Sequence, residues 1–83
     1  MAEASTYPEL IQVVQNNIAK TMDLGEATHG PGVWKKQARD FHIMRALKHL
    51  AEFQYSDNRE DLEHALCRIG FAVYQDFRQS DTS

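Results

Sequence analysis

The chain has 83 residues, a net charge of −3 and a single cysteine. One small domain is expected, without a disulfide framework and in a reducing, intracellular setting. The interspersed acids and bases argue against non-specific DNA binding, which wants a basic face, and no apolar run approaches the ~20 residues that cross a bilayer.

The opening Met-Ala-Glu-Ala-Ser-Thr lacks the basic and apolar regions of a signal peptide, so a cytoplasmic location is expected. Residues 1–6 are small and polar and read as frayed. Thr6 is suited to cap a helix, with Pro8 and Glu9 in its first turn. Leu10, Ile11, Val14, Ile18 and Met22 form a helical stripe from about Pro8 to Asp23. Gly25, Gly30, Pro31 and Gly32 then predict a loop over Leu24–Trp34 that carries His29 and the single tryptophan, Trp34.

A second helix begins between Lys35 and Phe41 and runs to Tyr55, with Ile43, Ala46, Leu47, Leu50 and Phe53 as its stripe. Asp57 or Asn58 can cap a third helix over Arg59–Gln79, and Glu60 and Asp61 suit its positive end. Leu62, Ala65, Leu66, Ile69, Val73 and Phe77 line one side of it, and Cys67, Phe71 and Tyr74 lie on another. A helix apolar nearly all round must be central or covered by a partner. Three helices do not easily surround one of their own, so Cys67, Phe71 and Tyr74 are read as a subunit interface. The tail, Ser80–Ser83, reads as loose. The expected fold is an all-α, three-helix domain over residues 1–83, assembled as a homodimer or higher helical bundle.

The residue types that suggest chemistry gather on the two later helices. His42 and His49 are seven apart with Arg45 between them, and His64 and Arg68 are four apart with Asp61 one turn earlier. These spacings keep each set on one helix face, and a helical hairpin would bring the two sets together. Guanidinium groups suit phosphate and imidazole titrates near neutral pH. Arg45, His49, His64 and Arg68 are therefore candidate phosphate ligands, with Trp34 or an aromatic such as Phe53 packing on a base. Glu60 and Glu63 are weak candidates for Mg²⁺, since acids in a helix's first turn need no further function. His49 and His64 could instead bind a metal, although a structural zinc site usually needs four ligands, often thiolates, and nothing supports nucleophilic catalysis.

Three motifs carry a resemblance. They are His29-Gly30-Pro31-Gly32-Val33-Trp34, then His42-Ile43-Met44-Arg45-Ala46-Leu47-Lys48-His49-Leu50, then Asp61-Leu62-Glu63-His64-Ala65. From Leu24 to Tyr74 the chain resembles the N-terminal region of dATP/dGTP diphosphohydrolase-like proteins of phages and bacteria, all-α relatives of the MazG-type nucleotide pyrophosphohydrolases. The resemblance implies a nucleotide-associated helical fold and, if the chain is enzymatic, Mg²⁺-dependent pyrophosphohydrolysis. The MazG-type metal motif pairs Glu-x-x-Glu with a later Glu-x-x-Asp. Only the first occurs here, at Glu60–Glu63, which is half of what a Mg²⁺-phosphate site wants.

Two functions are thus expected from different classes. The first is a nucleotide-binding protein, phage-encoded and acting in the host cytoplasm, that sequesters or hydrolyses its ligand. The second is a non-enzymatic inhibitor, for example an anti-defence protein, that binds a host protein through Phe71, Tyr74 and Cys67.

Overall fold

A computed structural model describes residues 7–82, of which Ser80, Asp81 and Thr82 are described in backbone only. The frayed start and the Thr6 cap fall outside the described residues. Three α-helices follow in order: α1 (Pro8–His29), α2 (Arg39–Ser56) and α3 (Arg59–Thr82), with a 3-10 turn at Val33–Lys36 between the first two. The all-helical class expected from the sequence is what the chain adopts.

α1 starts with Pro8 in its first turn, and its N-cap residue, Tyr7, makes no side-chain capping bond among the described residues. It runs past the expected end at Asp23 and takes in Gly25. The break comes at Gly30, whose N–H donates to Glu26 O at 2.9 Å. Gly25 was expected in the loop, but one helical glycine costs only about 1 kcal/mol, and the residues around it continue the turn. The loop itself is short because Gly30 (φ +99°) and Gly32 (φ +73°) both adopt left-handed backbone, which reverses the chain at once.

α2 and α3 form an antiparallel hairpin through Asp57 and Asn58. Asp57 takes the left-handed position (φ 54°) that ends α2, its N–H donating to Phe53 O at 2.8 Å. Asn58 opens α3, its Oδ1 accepting the Glu60 N–H at 3.0 Å. α3 then continues through Ser80 to Thr82, so the tail expected to be loose is helical as far as it is described. α1 lies across α3, with Ile18 beside Gly70 and Lys20 Nζ paired with Glu63 at 3.1 Å.

The core is small. Among the described residues the buried apolar side chains are Ala46, Ala65, Cys67 and Ala72. The stripe expected to form the core of α3 is largely on the surface, with Leu62, Ile69, Val73 and Phe77 exposed, as are Ile43 and Leu47 of α2. Of the side of α3 read as a subunit interface, Cys67 and Phe71 are covered within the chain, whereas Tyr74 stays exposed. Cys67 is buried, Phe71 stacks on Trp34 with ring centroids 4.5 Å apart, and Tyr74, still partly exposed, meets the Trp34 edge. The premise that three helices cannot cover that side overlooked the linker: the Trp34 segment supplies the missing layer.

Candidate functional site

The site is built on that linker. Gly32 leads into the 3-10 turn, which ends at an extended Gln37. Gln75 of α3 holds the segment down, its Nε2 donating to Lys35 O at 3.0 Å and Gln37 O at 2.8 Å. His42 holds it from the α2 side. Its ring is fully buried, and Nε2 lies 3.0 Å from Trp34 O. A carbonyl only accepts, so Nε2 carries the proton and Nδ1 is left as an acceptor. Arg68 Nη1 donates to that Nδ1 at 3.1 Å and to Gln37 Oε1 at 2.9 Å. Burial pushes the His42 pKa below its ordinary value; the Trp34 carbonyl works against this and the Arg68 charge adds to it.

Arg68 thus points from α3 towards the linker, and its hydrogen-bond partners among the described residues are neutral. Its guanidinium also lies over the Phe41 ring at 5.7 Å. Burial lowers its pKa from the ordinary arginine value, and the second cause is the positive charge of Arg45. Arg45 is half-buried, and its Nε is buried without a hydrogen-bond partner. Two guanidiniums that repel each other, one with an unmet donor, are costly unless an anion joins them.

Both arginines line a cavity of about 290 Å³ together with His64, Trp34, Phe41 and Phe71. The end of α1 closes one side of it. Among the described residues the one carboxylate on its wall is Glu26, whose Oε2 accepts the Gly32 N–H at 3.4 Å. With the wall histidines neutral, the lining carries a net positive charge.

Four of the five expected ligand residues, Trp34, Arg45, His64 and Arg68, are therefore brought to one cavity. The fifth, His49, is not on its wall. Its ring sits 5.0 Å from that of His64, and its Nδ1 faces Asp61 at 3.4 Å and Glu52 at 3.5 Å. Ser56 donates to the other Asp61 oxygen at 2.9 Å. Donor atoms of His49, Glu52 and Asp61 lie within 4.8 Å of one another, close enough to share an ion. The expected Mg²⁺ pair fares differently: Glu63 is taken by Lys20, and neither Glu60 nor Glu63 lines the cavity. Phe53 is also absent from the wall. Phe41 and Phe71 take its place, and Phe71 already covers one face of Trp34.

Comparison with protein-family models, curated proteins and solved structures finds no match. The reading of this site rests on its geometry.

Sequence reasoning placed His42 on the right face but gave it no role, and it overlooked Gln37, Phe41 and Gln75. Gln75 reaches back 38 and 40 residues to its two closest carbonyls, and no local pattern announces such a bond. Phe41 had a signal, since it stands four residues before Arg45 and so shares its face.

Proposed function

We propose that this chain binds a phosphate-bearing small molecule, a nucleotide, in the cavity between the linker and the three helices. The observation that carries the reading is the Arg45–Arg68 pair: two neighbouring guanidiniums on one cavity wall, with no carboxylate among the described residues bonded to either and a buried Nε unmet. A phosphate accepts from both and cancels their repulsion. His64 adds a donor on the same wall, and Phe41, with exposed ring surface, offers a face for the base. The volume lies at the small end of the ~300–1,000 Å³ range of ligand sites, which suits one nucleotide-sized ligand.

Binding without turnover is the form of this reading that the carboxylates support. Glu63 is committed to Lys20, and Glu52 and Asp61 face His49 off the cavity wall. The working unit is a homo-oligomer, because the core of one chain is too small to hold it folded with a normal margin. The competing reading, an inhibitor gripping a host protein through Cys67, Phe71 and Tyr74, is weakened because Cys67 is buried and Phe71 stacks on Trp34, which leaves Tyr74 as the exposed member of the three.

The test is thermal melting with inorganic phosphate, mononucleotides, dNTPs and signalling nucleotides, with and without Mg²⁺. A ligand that binds only the folded chain raises the midpoint as its concentration rises. The expected result is a shift with a phosphorylated ligand that disappears in Arg68→Ala, with the ligand recovered intact. No shift with any of them, or one that Arg68→Ala keeps, overturns the assignment.

A further inference from the structure

The side of the α2–α3 hairpin away from the cavity is a groove about 390 Å³ in volume. Ile43 and Leu47 form one wall, Ile69 and Val73 the other, and Ala46 and Ala72 the floor. The four wall side chains are 42–64 % exposed, whereas the two floor alanines are buried. Branched walls beside an alanine floor offer both knobs and holes, the requirement for helices to interlock. We infer that this groove is the seat of a second copy of the same chain, related by a two-fold axis and stacking hairpin on hairpin. The inference rests on the homo-oligomer reading above and deepens it by naming the face.

Three observations point to this occupant. The first is area. A compact monomer of 9.5 kDa exposes about 5,000 Å², but this chain exposes 6,400 Å². Its radius of gyration is 13.9 Å, against about 12 Å for a compact domain of its length. The surplus is surface that a compact chain would bury, and the exposed groove walls are part of it. Not all of it lies in the groove, since Tyr7, Leu10 and Val13 of α1 are exposed too.

The second is permanence. Three alanines and a cysteine make up the buried apolar side chains described, so the missing burial is needed whenever the chain is folded. A partner always present in equal amount is another copy. The third is charge. The ionic groups lining the groove are Arg39 and Asp76, bonded to each other at 2.7 Å. A face with one cation and one anion does not repel its own image, and an isologous contact demands such self-complementarity.

The test is sedimentation velocity and thermal melting of the full chain over a hundred-fold concentration range, with carbene footprinting of the unmodified protein at the high end. The expected result is a dimer whose midpoint rises with concentration. Leu47 and Val73 would be labelled at most a third as strongly as Tyr55, which is 92 % exposed. Leu47→Glu and Val73→Glu would each shift the protein to monomer or unfold it, whereas Tyr55→Ser would do neither. The footprint needs no variant and so survives their failure to fold. A folded monomer at every concentration overturns the homo-oligomer reading and the face together. A dimer that labels Leu47 and Val73 as strongly as Tyr55 overturns the face alone. A monomer without a cooperative melt overturns the second copy and gives the groove to a different protein.

Discussion

Arg68 donates to Nδ1 of His42 at 3.1 Å, and this bond commits the buried imidazole to its neutral form. The other ring nitrogen donates to Trp34 O, so one neutral histidine aligns the guanidinium on α3 with the linker that roofs the cavity. A protonated ring would offer Arg68 a donor where it needs an acceptor and would add a third positive charge beside Arg45.

Stability should therefore fall with pH through this residue. Burial holds the His42 pKa below its unfolded value, which is about 6.5. Between those two values the unfolded chain binds the proton first, so acid favours unfolding. The contribution is complete above about pH 6.5 and is lost as the pH falls through the folded pKa. Melting from pH 7.5 to 5.0 should show a declining midpoint in the natural chain and a flatter profile in His42→Asn. Parallel profiles would show that another group carries the dependence.

Arg45 offers a change in which stability and binding move in opposite directions. Arg45→Met keeps an unbranched stem, removes the repulsion on Arg68 and leaves no unmet Nε. Replacing a poorly paired buried charge by a hydrophobe is often neutral or stabilising. The midpoint should hold or rise. Affinity for a phosphorylated ligand should drop about ten-fold or more, the worth of a charge-assisted bond of about 1.5–3 kcal/mol. Titration calorimetry beside melting separates the two. A large loss of stability would mean that Arg45 braces the fold.

The convergence of Arg45, His64 and Arg68 was legible because it needs only helical spacing and a hairpin, and Asp57-Asn58 announces the hairpin. The assignment of inside and outside was not. Both sides of α3 are apolar, so periodicity alone does not say which one faces inward. The choice turned on Trp34, which lies in a segment with no period and packs on Phe71, 37 positions further along. Once the linker covers Cys67 and Phe71, the regular stripe of Ile69 and Val73 is left outside. His49 shares a helix face with Arg45 by spacing, yet Asp61 and Glu52 draw its ring away from the cavity wall.

Cys67 reports on the same inversion. Its thiol is buried, and burial pushes its pKa up to about 11, with the nearby Arg68 charge pulling the other way. Since the thiolate is the reactive form, a disulfide reagent at pH 8 should label the folded chain at least a hundred-fold more slowly than the chain in denaturant. An exposed interface cysteine would label at once. Fast labelling of the native protein would refute the covered position of Cys67.

The two glycines that bracket the end of α1 should respond to alanine with opposite signs. Gly25 lies inside the helix, and a methyl group there would meet nothing within 4 Å. Gly25→Ala should therefore stabilise the chain by about 0.5–1 kcal/mol through helix propensity. Gly30 ends the helix at φ +99° and ψ 157°, a region that is almost only glycine's. Gly30→Ala should cost about 1–3 kcal/mol, although Val33 at 3.9 Å leaves room for the methyl. For a domain of this size, 1 kcal/mol moves the midpoint by about 4–8 °C, so melting resolves both. Gly30→Ala should also weaken phosphate binding, because the linker that carries Trp34 over the cavity starts from that turn. If Gly25→Ala destabilised the chain instead, α1 would end near Asp23, as the spacing of its apolar residues predicts, and the cavity would lose the wall that the last turns of α1 provide.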